Sequence, residues 1–272
     1  MTISLPGELL EVFERSRTAE YVTIDAHGQP VVWPVMPAYH AAKGCIDVAR
    51  ADEQADDSRT NPHVALLFCD PPGEAPPPMV LVQGTAQVDA DTIHVRPERI
   101  YVWPRADLDE EPELYDAHVD EVRSAHNEEP EVGHAAPEGG QPEWDARLDE
   151  LDDGVLAFVG PDGFPFAVRA PVQADGEAGV VWVEADPVGA PIDPGPACLC
   201  AHAHAEDLTW QHSFQVRGDL VEQDGRLVLH PHRVVAGLQL PSSAFERYRV
   251  NVRKILRFRE TARDRERARA GA

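Results

Sequence analysis

Short apolar runs alternate with turns containing glycine or proline along the N-terminal part of the chain. A run of about four to eight apolar or β-branched residues bounded by such turns is typical of a β-strand. The pattern predicts an antiparallel meander, in which Gly28 and Gly44 occupy turns that favour a positive φ. The predicted strands are residues 21–25, 31–36, 45–48 and 64–68, then a strand pair within 80–99 and a closing strand at 100–103.

Two helices are predicted beside this meander. Residues 6–17 place Leu9, Val12 and Phe13 on one face, which is the spacing of an amphipathic helix. Residues 51–60 are polar and lie between two predicted strands, which indicates a helical crossover. Asn61-Pro62 ends this crossover, because a residue that precedes proline avoids the α region.

The same order of signals returns 134 to 135 residues later. Gly84, Pro97 and Arg99 are answered by Gly218, Pro231 and Arg233 at the shorter spacing, and Gly28, Pro30 and Gly44 by Gly163, Pro165 and Gly179 at the longer one. Glycine and proline determine turns and strand ends, so equal spacing over this distance predicts two copies of one domain. The predicted elements of the second copy are a helix at 144–151 and strands at 155–160, 164–170, 180–184, 197–203, 210–221, 227–229 and 234–238.

Charge and composition divide the rest of the chain. The net charge is -24, and residues 105–142 form an acidic connector in which the spacing of Leu114, His118 and Val122 predicts a helix over 112–127. Residues 245–270 hold 10 basic and 4 acidic side chains and predict a basic amphipathic helix. The predicted domains are 1–104 for copy one, 105–142 for the connector, 143–241 for copy two and 242–272 for the C-terminal helix.

Composition also excludes several classes of function. A strongly acidic chain repels nucleic acid and anionic membranes, so neither is an expected partner. No apolar run approaches the roughly 20 residues that span a bilayer, and no signal peptide is visible, which predicts a cytoplasmic protein. The four cysteines show no CxxC pair and are expected to be reduced and buried.

Four segments in order carry a resemblance to a known family: residues 22–35 (VTIDAHGQPVVWPV), 59–66 (RTNPHVAL), 82–88 (VQGTAQV) and 96–103 (RPERIYVW). They are similar to the pyridoxamine 5′-phosphate oxidase-like split β-barrel family. The resemblance covers copy one along its length and copy two chiefly at 162–165 and 216–233. It implies a mainly β (α+β) fold of two tandem split β-barrels packed as an intramolecular pseudo-dimer, with a further homodimer left open.

The resemblance also implies a flavin (FMN) or a deazaflavin bound between the barrels, and an oxidoreductase acting on a small organic molecule. The family draws its phosphate donors from the crossover, where Arg50, Ser58 and Arg59 are the candidates here. The acidic residues in the same segment would repel a phosphate and offer Arg50 and Arg59 surface partners instead. Those acidic residues are Asp52, Glu53, Asp56 and Asp57.

Further candidates come from aromatic and histidine-rich segments. Trp33 and Trp210 are candidates for stacking on a ring system, and Arg169 for binding a phosphate or carboxylate. In a strand, alternation places Cys198, Cys200, His202 and His204 on one face, and a turn at 205–209 would set His212 opposite His202.

These histidines line a ligand groove in one interpretation and bind zinc, iron or haem in another, while the two cysteines align with core positions. Three functions therefore stay open: a flavin or deazaflavin oxidoreductase, a non-catalytic binding module that has lost the flavin phosphate site, and a haem- or metal-binding barrel.

Overall fold

A computed structural model describes residues 7–16, 18–69, 78–116, 153–184, 189–190, 192–204, 211–223 and 225–235. The helix predicted at 144–151, most of the acidic connector, Trp210 and the C-terminal helix lie outside the described residues. The described elements of the first half are α1 (Gly7–Arg15), β1 (Ala19–Ile24), β2 (Pro30–Val35), β3 (Ala38–His40), β4 (Cys45–Ala49), α2 (Asp52–Thr60), β5 (His63–Phe68), β6 (Met79–Val88), β7 (Thr92–Trp103) and β8 (Glu113–Asp116). Those of the second half are β9 (Asp153–Val159), β10 (Pro165–Asp175), β11 (Val180–Val183), β12 (Gly195–His204), β13 (Gln211–Gln223) and β14 (Arg226–Val235).

The strands form two antiparallel sheets with the same order. The second sheet is a closed barrel with the order β10-β11-β14-β13-β12-β9. The first runs β2-β1-β5-β6-β7-β4-β3, with β8 added beside β7. Here β2 and β3 together take the place of β10, because Met36 and Pro37 interrupt what is one strand in the second barrel. Proline lacks a backbone N–H and cannot continue the hydrogen-bonded ladder. The mainly β fold of two split barrels is therefore confirmed.

The glycines that recur in the sequence meet the same backbone demands in both barrels. Gly84 and Gly218 each lie at a register shift, between β6 and β7 and between β13 and β14. A Cβ atom would lie 2.1 Å from the carbonyl oxygen of Arg96 at the first position and 2.2 Å from that of His230 at the second. Gly28 and Gly163 have φ values of 78° and 79° in the matching hairpin turns. Only glycine meets these demands without strain.

Burial on both faces of the central strands joins the barrels into one body. All six residues of β1 are buried, as are the first six of β6. Alternate side chains of these strands point into the first barrel's own core, where Tyr21, Leu66 and Val82 pack together. The residues between them, including Val22 and Leu81, share a core with the second barrel. Strands buried on both faces read as continuous apolar runs, which is why these segments lack alternation.

The two described helices close the first barrel. Phe13 of α1 packs its ring 5.3 Å from that of Tyr39 and 4.9 Å from that of Phe68, so its apolar face anchors the helix. In α2, Ala55 and Ser58 are buried, and the hydroxyl of Ser58 lies 2.7 Å from that of Tyr21. Among the described residues, no helix has the length and apolar character needed to cross a membrane.

Several predicted boundaries are wrong in informative ways. Residues 113–116, inside the helix predicted for 112–127, form a strand that pairs with β7. The strand at 38–40 was not predicted, because three residues carry too little pattern. The closing strands predicted at 100–103 and 234–238 continue the preceding strands and belong to β7 and β14. In the second crossover, the described residues 189–190 and 192–194 are not helical, as its prolines predict.

Candidate functional site

The barrels meet through equivalent positions, as in a symmetric dimer. Gln29, in the turn after β1, donates from Nε2 to the carbonyl oxygen of Ala197 at 2.7 Å. Phe164 occupies the equivalent turn of the second barrel and stacks on His63, with ring centroids 4.1 Å apart. His63 begins β5, and Ala197 lies at the corresponding place in β12. Each turn therefore contacts the same strand of the other barrel, which is the arrangement of a two-fold interface.

Buried amides fasten the middle of this interface. Gln83 is 1% exposed and donates from Nε2 to the carbonyl oxygen of Pro165 at 2.9 Å. Gln215, which is 8% exposed, donates to the carbonyl oxygen of Val32. A buried carbonyl group must find a donor, so these contacts specify how the barrels dock.

An arginine reaches across the interface beside the first barrel's crossover helix. Arg217 of β13 places Nη1 3.9 Å from a carboxylate oxygen of Asp25, and Nη2 3.5 Å from the side-chain oxygen of Gln215. Its side chain is only 13% exposed. Its Nε atom is buried and has no hydrogen-bond partner among the described residues. A buried cation with a spare donor is suited to bind an acceptor atom of a ligand.

Two carboxylates of the first barrel face this arginine. The other oxygen of Asp25 accepts backbone N–H groups of His27 at 2.8 Å and Gln29 at 3.0 Å, so the turn after β1 holds this side chain in place. Asp57 of α2 accepts the hydroxyl of Thr23 at 2.8 Å. Burial raises the pKa of Asp57, and the nearby charge of Asp25 raises it further; the Thr23 hydrogen bond and the Arg217 charge oppose this.

An indole ring lies on the same side of the interface. Trp33 of β2 donates from Nε1 to the hydroxyl oxygen of Thr23 at 3.0 Å, and it is partly exposed. Thr23 thus links the indole to Asp57, and Arg217 is electrostatically coupled to that carboxylate. Together these groups form what we call the Arg217 cleft: Thr23, Asp25, Trp33, Asp57 and Arg217. It offers a flat aromatic surface, a cationic donor and two acceptors.

The candidates on the crossover helix do not converge on one point. Arg50 donates to the carbonyl oxygen of Ala90 at 2.8 Å and to Asp52 at 3.2 Å. Arg59 pairs with Asp56 at 2.8 Å, on the exposed side of α2. Ser58 is 2% exposed, and its hydroxyl lies 2.7 Å from the backbone oxygen of Gln54 as well as contacting Tyr21. Each candidate already has protein partners.

Arg169 belongs to a separate ion pair at the interface. It donates from Nε at 3.0 Å and from Nη2 at 2.6 Å to the two oxygens of Asp153. Burial lowers the pKa of Arg169, but the Asp153 hydrogen bonds and the neighbouring charges, including Glu20, outweigh it and raise the pKa overall. A two-pronged contact with a carboxylate is the geometry that an arginine would otherwise offer to a ligand.

The cysteine and histidine segment has a different register from the one predicted. Cys198 and Cys200 are fully buried, and burial raises the pKa of Cys198 to about 12, so packing is their role. The strand pairing sets His202 opposite Ser213 and His212 opposite Ala203. The prediction that His212 faces His202 is therefore wrong, because the connection between β12 and β13 spans 205–210.

Sequence reasoning missed Arg217 and its two acidic neighbours. Position 217 lies 134 residues after Gln83, so the second copy carries arginine where the first carries glutamine. That difference between copies was a visible signal. Its meaning depends on Asp25 and Asp57, which the chain brings close only through docking of the barrels.

No family model matches the sequence, and no curated protein matches it significantly. Comparison with solved structures finds resemblance over part of the chain. A Clostridium acetobutylicum protein, described as related to general stress protein 26 and placed in the pyridoxinephosphate oxidase family, matches with a TM-score of 0.34 and 12% identity, over 40% of this chain and 92% of that one.

Two further solved structures carry cofactor names. An FAD-binding protein from Mesorhizobium loti matches with a TM-score of 0.30 and 17% identity, over 35% of this chain and 92% of that one. HutZ, a haem storage protein from Vibrio cholerae, matches with a TM-score of 0.32 and 16% identity, over 38% of this chain and 95% of that one. Values at this level do not assign this chain to a family.

Proposed function

We propose that this chain binds FMN or a related flavin or deazaflavin at the Arg217 cleft and oxidises or reduces a small organic molecule there. The observation that carries the proposal is Arg217, which extends from the second barrel to the carboxylates and indole of the first. A flavin ring carries acceptor atoms along one edge and a flat face, and it needs a donor and an apolar or aromatic surface. Arg217 Nε and Trp33 are groups of those kinds.

The fit is to the ring rather than to a phosphate on the crossover helix. Around α2, four acidic side chains face only two arginines, and Arg50 and Arg59 are paired with two of those acids. A phosphate dianion placed there would meet net negative charge. When bound, the flavin would supply the redox chemistry, while Arg217 would hydrogen-bond the ring and the buried interface would hold it in one orientation.

A second candidate function is a non-catalytic binding module that has lost the phosphate site. The paired state of Arg50 and Arg59 favours it, since neither guanidinium is left for a ligand without breaking an ion pair. The haem- or metal-binding alternative at His202, His204 and His212 stays a prediction, because their side chains lie outside the described structure.

We further propose that the two barrels arose by duplication and fusion of one gene. The identical strand order, the matched bulges at Gly84 and Gly218, and the reciprocal contacts of Gln29 and Phe164 support this. In this view the fused chain makes internally the pairing that separate copies would make between subunits, at a high effective concentration.

The first experiment is an absorbance spectrum of freshly purified protein, followed by mass spectrometry of any ligand released on denaturation. Bands at about 370 and 450 nm indicate oxidised flavin, and a band at about 420 nm indicates deazaflavin or haem. Titrations with FMN and with riboflavin, which lacks the phosphate, then locate the binding energy. We expect the two to bind with similar affinity.

The test variant is Arg217→Gln, and Arg226→Gln is its matched control. Arg226 lies in the same barrel but pairs with Glu184 at 3.0 Å on an exposed surface. Loss of a hydrogen bond from a charged donor should weaken flavin binding by about 10- to 100-fold, and the control should bind as the parent does. If FMN, riboflavin and deazaflavin all fail to bind the parent at about 100 μM, the flavin proposal is refuted and the non-catalytic module remains.

A further inference from the structure

Four side chains with metal-binding atoms share the outer face of the first barrel. His40 of β3 lies directly opposite Cys45 of β4, and Asp47 of β4 lies directly opposite His94 of β7. Cys45 and Asp47 are two residues apart in one strand. Directly opposed residues of antiparallel strands, and residues two apart in a strand, point to the same face of a sheet. The strand geometry alone therefore gathers all four.

The atoms of this group are close enough to share one ion. A ring nitrogen of His94, the carboxylate of Asp47 and the sulfur of Cys45 all lie within 4.8 Å of one another. His94 Nδ1 is 2.6 Å from one oxygen of Asp47, and His40 Nε2 is 2.9 Å from the other. Two N or O ligands on a tetrahedral zinc ion are about 3.3 Å apart, so an ion requires a shift of under about 1 Å between Asp47 and His94.

A second carboxylate supports the histidine from behind. Nε2 of His94 lies 3.1 Å from an oxygen of Asp89, in the turn between β6 and β7. When Asp89 accepts the Nε2–H group, Nδ1 keeps its lone pair and points at Asp47. A carboxylate bonded to the far nitrogen of a metal-binding histidine is the usual outer-shell arrangement at zinc sites.

The strands that carry these groups are rigidly held. Ile46 and Val95, which alternate with the four polar residues, are fully buried in the core of the first barrel. The polar side chains themselves are partly exposed, and the side chain of Asp47 is 18% exposed. Donors on packed strands and open to solvent form a site that an ion can enter without unfolding the protein.

We propose that His40, Cys45, Asp47 and His94 form a zinc site, with Asp89 as an outer-shell partner of His94. One thiolate, one carboxylate and two neutral imidazoles balance the charge of a divalent ion. Sulfur, nitrogen and oxygen donors together favour zinc over magnesium or calcium, which prefer oxygen alone. The ion would tie the β3–β4 hairpin to β7.

The second barrel provides an internal comparison. The opposed pairs at the equivalent register positions are Asp175 with Val180, and Trp182 with Val228. Only one of those four side chains can bind a metal. The donor set is therefore particular to the first barrel and is not required to build the fold.

The test uses the full chain stripped of metal with a chelator, and Co²⁺ as a spectroscopic probe of the unmodified protein. We expect one equivalent of Co²⁺ to produce a sulfur-to-metal charge-transfer band and the visible bands of a tetrahedral complex, both removed by Zn²⁺. Absence of the charge-transfer band at one equivalent would overturn the proposal without the use of any variant.

Calorimetric titration with Zn²⁺ then assigns the ligands. We expect Cys45→Ser and His94→Gln to lose the site, and Asp89→Asn to bind about 10- to 100-fold more weakly. The triple variant His202→Gln/His204→Gln/His212→Gln is the control and should keep it. Circular dichroism of the metal-free variants checks that each is folded. Zinc binding that is unchanged in both Cys45→Ser and His94→Gln, or lost in the control, would overturn the assignment.

Discussion

Replacing Gly84 with alanine would place a methyl group 2.1 Å from the carbonyl oxygen of Arg96. The equivalent change at Gly218 would place one 2.2 Å from the carbonyl oxygen of His230. Both contacts are with backbone of the neighbouring strand, which cannot swing aside as a flexible side chain would. Each substitution must therefore open a strand pair at a bulge, in β6–β7 or in β13–β14.

The cost follows from the size of the clash. Ordinary contact between carbon and oxygen needs over about 3 Å, so the strands must separate by roughly 1 Å in a closely packed barrel. Overpacking of this kind costs about 1–3 kcal/mol, and a backbone clash belongs at the upper end. For a chain of this size, about 3 kcal/mol lowers the melting temperature by roughly 6–12 °C.

Urea and thermal unfolding of Gly84→Ala and Gly218→Ala measure this directly, with Gly195→Ala as control. Gly195 lies at the start of β12 and has no atom within 4 Å of a built Cβ, so its variant should stay within about 0.5 kcal/mol of the parent. We expect similar losses at the two bulges. If Gly84→Ala is as stable as the control, the bulge does not exist as described and the equivalence of the two barrels loses its strongest structural support.

Two other expectations concern the interface. Asp57 has a raised pKa in the folded state, so its stabilising contribution is fully present below the unfolded pKa and is lost as pH rises through the folded pKa. Asp57→Asn, which can still accept from Thr23, should therefore be more stable than the parent at pH 7 but not at about pH 3; an equal gain at both values would contradict this. Phe164→Ala removes the stack on His63 and the contact with the Arg99 guanidinium, 4.7 Å from the ring centroid. A loss of about 1–2 kcal/mol in urea unfolding is expected, and no change would show that the turn does not hold the barrels together.

The strands were largely predictable because their signals are local. Apolar runs and glycine turns placed β1, β2, β4, β5, β6 and β9 within one or two residues, and polar residues 51–60 placed α2. The helix predicted over 112–127 is wrong at its start because Glu113–Asp116 completes the ladder beside β7. Hydrogen bonding to a neighbouring strand overrode the helical spacing of Leu114 and His118, and neighbouring strands are not visible in a local pattern.

The candidate site was less predictable, since it depends on partners distant in the chain. Arg50 and Arg59 were chosen for their place in the crossover, yet both pair with acids of the same segment. Arg217 carried no local motif, and it gains significance only because Asp25 and Asp57 face it across the interface.

The amino-acid order by itself determined that this chain builds two similar β-barrels, because turns, bulges and apolar runs are encoded within a few residues of where they act. The tertiary structure alone decided which charges are neutralised within a segment and which remain for a ligand. It also decided which donors meet, as Arg217 meets the first barrel and His94 meets Asp47. Electrostatic and metal-binding energies depend on distance in space and on burial, and neither quantity is a property of spacing along the chain.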